Sequence, residues 1–332
     1  MLKPEMSDAE HIWALVLAAG EGRRLSSFTT TSSGLTIPKQ FCSLDQGPSL
    51  LQDALERASS VTARERICAI VAVQHRLWWL EQLDGLPREN ICVQQQNRGT
   101  ANGILLPLLS ILERDSEARV LILPSDHYVR DEQQLARSLR YAVARSDVDW
   151  AEILLLGIEP LGPDTELGYI VPRCGTTRLH QEVERFVEKP DAVQAQALLE
   201  QGALWNSFII AADGQSLLRL YERRWPDVVV AMRDALSMPG SDDSGKAVAE
   251  IYQALPELDF SRSILQGQEQ YVRVLRVPEC GWSDLGTPQR VSHALHALPR
   301  IGRRPEQRVA GRTLLSLAAQ HRRLGPLARM QT

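Results

Sequence analysis

The sequence has few cysteines and no long apolar segment. Its five cysteines are odd in number, widely spaced and never arranged as Cys-x-x-Cys, which argues against a disulfide framework and against a zinc site. No apolar run approaches the roughly 20 residues of a membrane span, and the first residues lack the apolar core of a signal peptide. We therefore expect a cytoplasmic protein that makes no membrane contact.

Lysine is scarce as well, with four lysines against 33 arginines. Two of the four, Lys39 and Lys189, lie in motif-like segments, where a compact ammonium charge makes a contact that a planar guanidinium does not reproduce. The net charge of -4 gives no general case for nucleic-acid binding. A hydrophobic fraction of 44% and a charged fraction of 23% are typical of a globular protein, and 332 residues suffice for one large α/β domain or two small ones.

The strongest local signal lies in residues 13–41. Residues 13–18 are an apolar run that predicts a strand buried on both faces of a parallel sheet. Gly20 and Gly22 follow, and a turn with little Cβ bulk lets backbone N–H groups approach anionic oxygens. Three cationic residues complete the segment: Arg23, Arg24 and Lys39. The pattern predicts a polyphosphate-binding loop. An ordinary strand-to-helix turn with surface arginines is the alternative.

Two well-known phosphate loops are excluded by this sequence. The Walker loop ends in Gly-Lys-Ser or Gly-Lys-Thr, and neither tripeptide occurs in the chain. The dinucleotide-binding fingerprint requires a third glycine, but Leu25 stands at that position. The predicted loop is therefore of a different type.

An acidic residue follows the apolar segment at residues 120–123. Asp126 lies just past the carboxyl end of this predicted strand, in the crevice where open α/β sheets bind ligands. Mg²⁺ prefers one or two carboxylates together with phosphate oxygens, so Asp126 beside a phosphate loop is a candidate Mg²⁺ ligand. A cap of the next helix is the alternative. Asp284 is a second acidic residue, on a glycine-flanked turn after a late predicted strand at 271–277.

Two further polar groups suggest contacts with a base and with a sugar. The first precedes an apolar helix and can hydrogen-bond a flat heterocycle or simply cap that helix: Gln94, Arg98, Gly99 and Thr100. The second lies within residues 162–212 and offers the paired donors and acceptors that sugar hydroxyls require: Gly168, Glu188, Lys189 and Asn206.

The order of predicted elements indicates the fold. Strands and helices alternate to about residue 157, which predicts a mixed, mostly parallel sheet with helices on both faces. Shorter strand-like segments at 168–172, 183–187 and 208–211 predict a small appended sheet within 162–212. The Thr- and Ser-rich segment at 26–36 has no apolar period and predicts a loop. Residues 300–332 then contain eight arginines and one glutamate. We expect this basic tail to lie outside the core, either as a solvated segment or as the contact of a homo-oligomer.

Taken in order, these motifs resemble the sugar-1-phosphate nucleotidyltransferase family, and most closely its mannose-1-phosphate guanylyltransferases, over about residues 13–290. The resemblance implies a Rossmann-like α/β core in which a nucleoside triphosphate condenses with a sugar 1-phosphate and releases pyrophosphate. It implies a nucleotidyltransferase domain at 12–298, with its sugar-binding part at about 162–212, followed by a basic tail at 299–332.

By position, the resemblance also assigns roles. The triphosphate signature matches Gly20, Gly22, Arg24 and Lys39, with Ala19 and Arg23 beside it. Arg24 would contact the leaving pyrophosphate and Lys39 the transferred phosphate, which makes both catalytic together with Asp126. The base-binding turn matches Gln94, Arg98, Gly99 and Thr100. Asp126 and Asp284 match two aspartates that hold Mg²⁺, and the sugar pocket matches Gly168, Glu188, Lys189 and Asn206.

Two departures bear on specificity. Ala19 replaces the first glycine of a usual pair, as in uridylyltransferases, and Gly99 stands where guanylyltransferases usually have asparagine. GTP and mannose 1-phosphate are the expected substrates. The alternatives are a uridylyl- or thymidylyltransferase acting on glucose-type 1-phosphates, and a non-catalytic regulatory homologue that binds a nucleotide sugar.

Overall fold

The computed structural model of the chain describes residues 8–22, 25–31, 34–44, 47–145, 153–173, 180–238 and 241–297. Two predicted nucleotide contacts, Arg23 and Arg24, lie outside these residues, and so does the basic tail at 299–332. None of the helices in the described ranges combines the length and the hydropathy needed to cross a membrane.

One sheet runs through the described part of the chain. Its strands are β1 (Ile12–Ala18), β2 (Ile67–Ala72), β3 (Ile91–Gln94), β4 (Arg119–Pro124), β5 (Ile153–Ile158), β6 (Gly168–Pro172), β7 (His180–Glu188), β8 (Leu204–Asp213) and β9 (Val272–Val277). They are ordered β3-β2-β1-β4-β8-β5-β9-β7-β6. Strands β1 to β4 pair only in parallel with one another, whereas β8 is antiparallel to both β4 and β5.

The mixed α/β class is confirmed, with a sheet that is parallel in its N-terminal half and mixed beyond β4. One detail of the prediction is corrected. The strands predicted as an appended sheet extend the main sheet instead, because β7 pairs with β9 and β6 pairs with both β7 and β8. Strand β8 is long enough to pair with β4 through its second half and with β6 through its first. Such distant pairings leave no local pattern in the sequence.

Helices cover both faces of the sheet, as predicted. The described helices are α1 (Ser26–Thr29), α2 (Leu50–Ser59), α3 (Arg76–Gln82), α4 (Gly99–Arg114), α5 (Glu132–Arg145), α6 (Ala192–Glu200), α7 (Gly214–Arg224), α8 (Pro226–Leu236), α9 (Ser241–Ala254) and α10 (Pro288–Ala297). Alternate residues of β1 enter two separate cores: Ala14 and Val16 pack with α2, α5 and α10, while Trp13 and Leu15 pack with α4, α7 and α8. A strand buried on both faces is the reason for the continuous apolar run at 13–18.

Candidate active site

A cavity opens where β1 and β4 end side by side. Leu17 is in register with Pro124, and Ser125 donates both its backbone N–H (3.2 Å) and its hydroxyl (2.6 Å) to the Leu17 carbonyl. The turns that follow the two strands are thereby held next to each other. The cavity has a volume of about 300 Å³ and is lined by nine of the predicted site residues: Gly20, Gly22, Thr100, Asp126, Gly168, Glu188, Lys189, Asn206 and Asp284.

The glycine loop after β1 packs closely against the turn that contains Lys39 and Gln40. Gly22 has a φ of +62°, and a Cβ there would lie 2.9 Å from the backbone nitrogen of Lys39. Gln40 fastens the loop from the other side, since its Nε2 donates to the carbonyls of Ala18 (3.1 Å) and Gly20 (2.7 Å). The short 3₁₀ turn at Lys39–Phe41 is therefore attached to the loop at several points. Position 22 has room for no side chain larger than hydrogen.

Lys39 contacts both of the aspartates that are predicted to bind Mg²⁺, Asp126 and Asp284. Its side chain is buried, and Nζ lies 2.8 Å from Asp126 Oδ2 while donating to the backbone carbonyl of Asp284 at 2.6 Å. It lines an adjoining cavity of about 580 Å³ that shares Gly22, Asp126 and Lys189 with the first. A buried ammonium that is held by Asp126 is a fixed positive charge in the wall of the larger cavity.

The turn after β9 carries Asp284 into the cavity wall. Its carboxylate is buried, accepts a hydrogen bond from the Gly286 N–H (3.0 Å) through Oδ1, and forms an ion pair with Arg290 through the same oxygen. The turn is fastened to the one after β4 by a backbone bridge in which Tyr128 and Ser283 exchange two N–H···O bonds of 2.9 Å. Asp126 and Asp284 thus belong to two turns that form one rigid unit.

His127 packs against Trp282 of the Asp284 turn and also lines the cavity. The Trp282 indole N–H lies 3.3 Å from His127 Nδ1, and the two rings pack edge to face with centroids 5.1 Å apart. His127 Nε2 lies 3.6 Å from Asp126 Oδ1. His127 therefore adds a side-chain contact between the two turns.

The donor set fits a magnesium–phosphate complex. Among the described residues, no group of three or more His, Cys, Asp or Glu side chains is arranged to hold a metal ion alone. Asp126 and Asp284 nevertheless line the same cavity. Mg²⁺ is usually held by one or two carboxylates and completes its shell with substrate phosphates and water. Two carboxylates beside a phosphate loop are therefore sufficient for a metal that arrives with its nucleotide, and the Mg²⁺ assignment remains a prediction.

Gly168, Glu188 and Asn206 meet on neighbouring strands. Gly168 on β6 lies directly opposite Glu188 on β7, and a Cβ at Gly168 would come within 2.5 Å of Glu188 Oε2 and 3.5 Å of Asn206 Cβ. Burial raises the pKa of Glu188, the carboxylate of Asp259 raises it further, and the Lys189 ammonium opposes both. A buried carboxylate beside a glycine and an amide can hydrogen-bond a polyhydroxyl ligand.

The residues predicted to bind the base have structural contacts. Arg98 donates from Nε to the Tyr252 carbonyl and from Nη2 to the Gln253 carbonyl, both at 2.6 Å. Gly99, with φ +82°, leaves a Cβ no space, since it would lie 2.3 Å from the Leu258 carbonyl oxygen. Thr100 Oγ1 accepts from the Phe260 N–H (2.9 Å) and also lines the cavity. Arg98 thus holds the last turn of α9, and Thr100 holds the segment that follows it.

Gln94 is the remaining member of that group. It is 2% exposed at the end of β3, and its Oε1 has no hydrogen-bond partner among the described residues. Gln94, Arg98 and Gly99 are not among the residues that line the 300 Å³ cavity. Ala19 is half-buried in the same loop as Gly20 and is likewise not among them. Their contact with a nucleotide remains a prediction.

Several cavity residues were not identified from the sequence. They come from four different segments: Gln40, Ser125, Phe208, Asp259 and Ser261. Asp259 and Ser261 lie at the start of a short π-helical turn, Ser261–Leu265, and reach the cavity through the contacts of Thr100 and Gly99 with this segment. No local motif marks them. Phe208 has a φ of +57°, an unusual conformation that a sequence pattern does not reveal.

Comparison with known proteins adds a family and several relatives. The sequence model of a family described as nucleotidyl transferase matches residues 13–300. The chain is 30% identical over 289 residues to a mannose-1-phosphate guanylyltransferase of Escherichia coli (strain K12), covering 83% of this chain and 58% of that protein. It is 29% identical over 287 residues to the xanthan biosynthesis protein XanB of Xanthomonas campestris pv. campestris (strain B100), covering 85% and 58% respectively. The chain thus spans 58% of the length of these two relatives.

Solved structures share the fold. A structure described as a mannose-1-phosphate geranyltransferase from Thermus thermophilus aligns with a TM-score of 0.70 and 27% identity, covering 83% of this chain and 76% of that one. A mannose-6-phosphate isomerase from Helicobacter pylori aligns with a TM-score of 0.61 and 20% identity, covering 82% and 99%. The second likeness concerns the fold alone.

Proposed function

Because this chain belongs to the nucleotidyl transferase family, we propose that it transfers the guanylyl group of GTP to mannose 1-phosphate, which yields GDP-mannose and pyrophosphate. The choice of guanine and mannose is supported by the relatives of about 30% identity described as mannose-1-phosphate guanylyltransferases. GTP and mannose 1-phosphate react through their phosphate groups, and mannose 1-phosphate also carries a sugar ring. The site must therefore combine a cationic phosphate region with a polar sugar pocket.

The observation that carries this proposal is that one cavity contains both kinds of group. Gly20, Gly22 and Asp126 lie on its phosphate side, at the ends of β1 and β4, and the sugar-side set of Gly168, Glu188 and Asn206 lies on the extended part of the sheet. Lys189 borders both this cavity and the adjoining one. A site that held only a nucleotide would have no use for the second group.

The reaction joins two anions, so the protein's main task is to hold them together. An oxygen of the sugar phosphate attacks the α-phosphorus of the triphosphate; a P–O bond forms, the bond to the β-phosphate oxygen breaks, and pyrophosphate leaves with the electron pair. The attacking oxygen is already ionised at neutral pH and needs little help from a general base. Positioning and charge neutralisation therefore supply most of the rate.

Lys39 is the proposed fixed cation for the transferred phosphate. It needs no reorganisation during the reaction, because Asp126 and the Asp284 carbonyl already hold its ammonium group in place. Asp126 and Asp284 would hold Mg²⁺, which neutralises phosphate charge when bound. Arg24 is proposed to contact the leaving pyrophosphate, on the sequence resemblance alone.

Glu188 and Asn206 are the proposed contacts of the sugar. A carboxylate that is largely withdrawn from water forms strong hydrogen bonds with hydroxyl groups, because it has few competing partners. Glu188 is 12% exposed at its side chain, and Lys189 Nζ lies 3.9 Å from its Oε1. A sugar hydroxyl could replace part of the lost hydration, while the Lys189 ammonium remains close enough to meet the sugar phosphate.

The test is a matrix of substrates with the full chain. GTP, UTP, dTTP and ATP are each combined with mannose, glucose and N-acetylglucosamine 1-phosphates, and pyrophosphate release is measured. We expect the highest kcat/KM for GTP with mannose 1-phosphate, because one hydrogen-bond mismatch in a buried base site costs several powers of ten. A preference for UTP or dTTP would overturn the assignment of guanine but would still support nucleotidyl transfer to a sugar 1-phosphate. No release from any pair would overturn the reaction itself.

A further inference from the structure

Arg290 forms ion pairs with two carboxylates from different parts of the chain. Its Nη1 pairs with Asp284 Oδ1 and its Nη2 with Asp164 Oδ2. The side chains of all three residues are largely buried, with exposed fractions of 18% for Arg290, 8% for Asp284 and 19% for Asp164. Arg290 lies at the start of α10 and lines a neighbouring cavity of about 370 Å³, which shares Leu167, Trp282 and Asp284 with the active-site cavity.

Asp164 organises the loop that leads into β6. Its backbone N–H donates to the Tyr169 hydroxyl (2.7 Å), and its Oδ1 accepts from the Glu166 N–H (2.8 Å). The loop then supplies three successive residues to the wall of the active-site cavity: Glu166, Leu167 and Gly168. The position of Asp164 therefore determines where the sugar side of the cavity lies.

The other partner of Arg290 belongs to the phosphate side. The backbone carbonyl of Asp284 accepts from Lys39 Nζ, and Lys39 is paired with Asp126. A continuous series of polar contacts thus extends from Asp126 through Lys39, Asp284 and Arg290 to Asp164. In this series Arg290 is the link between the two sides of the site.

We propose that Arg290 is a positioning residue that holds the loop at residues 161–167 against the Asp284 turn and so keeps the sugar pocket aligned with the phosphate region. Its kinetic consequence rests on the proposed function. Arg290 does not line the active-site cavity, so it acts through Asp164 and Asp284. The planar fork of arginine can pair with two carboxylates at once, whereas the single ammonium of lysine cannot reproduce both contacts.

The chain offers a matched control for this proposal. Arg130 lines the same 370 Å³ cavity, but its partner is Glu279, and its side chain is half exposed. Arg290→Gln and Asp164→Asn each remove the link with little change of volume. Arg290→Lys keeps the charge and restores at most one of the two contacts. Arg130→Gln removes a cation from the same cavity without touching the link.

Steady-state kinetics separate positioning from general destabilisation. We expect Asp164→Asn, which leaves the pair of Arg290 with Asp284 in place, to raise the KM for the sugar 1-phosphate by about tenfold and to leave the KM for the nucleoside triphosphate within about twofold. Arg290→Gln should raise the KM for the sugar 1-phosphate to the same extent, and it also removes the cation beside the Asp284 carboxylate. Arg290→Lys should be intermediate and Arg130→Gln unchanged. For the sugar 1-phosphate, the double variant Arg290→Gln/Asp164→Asn should be no worse than Arg290→Gln, because both changes remove the same link. Additive effects on that KM, or equal rises of both KM values in Asp164→Asn, would contradict the proposal.

Hydrogen exchange tests the link without any substrate. In Arg290→Gln, the amides of residues 164–167 should exchange at least about tenfold faster than in the wild type, while amides of β1 keep their protection. If the wild type releases pyrophosphate from no substrate pair, the proposed function fails, and the exchange result still decides whether Arg290 holds the loop. Unchanged exchange at 164–167 in Arg290→Gln would overturn the proposal, whatever the melting temperature.

Discussion

Gly168→Ala is the most direct test of the proposed sugar pocket. The new methyl group would lie 2.5 Å from Glu188 Oε2, 3.2 Å from Phe186 Cζ and 3.5 Å from Asn206 Cβ. Normal van der Waals contact requires the carboxylate to move away by roughly 1 Å, since carbon and other heavy atoms pack at about 3.5–4.0 Å. Glu188 is 12% exposed at its side chain and lines the cavity, so its carboxylate would move within the proposed sugar pocket. The substitution should therefore displace the carboxylate that is proposed to bind the sugar.

The expected magnitude has a stability part and a binding part. Overpacking of this kind costs about 1–3 kcal/mol, which for a domain of this size lowers the melting temperature by roughly 2–10 °C. A misplacement of about 1 Å in a binding group can reduce kcat/KM by about 100-fold. We expect this loss in kcat/KM for the sugar 1-phosphate, with the KM for the nucleoside triphosphate unchanged within about twofold.

Gly162→Ala is the matched control for this experiment. Gly162 lies in the loop at residues 161–167 that leads to Gly168, and a Cβ there would have no neighbour within 4 Å. Steady-state kinetics and thermal unfolding of both variants should show a large effect at position 168 and almost none at 162. A Gly168→Ala variant that melts at a lower temperature but keeps the wild-type kcat/KM for the sugar 1-phosphate would refute the role of Glu188 in sugar binding.

Two further predictions concern the metal and the pH dependence of stability. Asp126→Asn and Asp284→Asn should each lower turnover by about 100-fold or more. Each should also weaken Mn²⁺ binding, measured by electron paramagnetic resonance with the nucleotide present. If the wild-type protein keeps full turnover in EDTA, the metal assignment is wrong. Burial raises the pKa of Asp53 from 3.8 to about 6 against the opposing Arg57 guanidinium. The folded state therefore binds this proton more tightly, and stability decreases as the pH rises from about 4 to 6, by up to about 3 kcal/mol. Urea unfolding of Asp53→Asn should show a gain over the wild type that grows across this pH range; a constant difference would contradict the assignment.

Much of the framework could be predicted from local pattern. The first strand, the glycine loop and the acidic residue after β4 each lie in a short continuous segment, so their spacing carries the information directly. Residues 168–172 were predicted as a strand and form β6 with the same bounds. The segment at 26–36 was predicted as a loop without regular structure, yet it contains the short helix α1 and a bridge between Thr30 and Thr36. A single helical turn has too few residues to show a periodicity.

The sequence by itself determined the chemical groups of the site, because glycines, lysines and acids at strand ends are specified residue by residue. Only the tertiary structure decided how they combine. Asp284 meets Lys39 from a point 245 residues further along the chain, and β8 enters the middle of the sheet so that Asn206 reaches the cavity. The link from Arg290 to Asp164 depends on the packing of the start of α10 against the distant loop at residues 161–167. Such contacts depend on how buried surfaces fit together over the whole domain, and no short stretch of sequence contains that information.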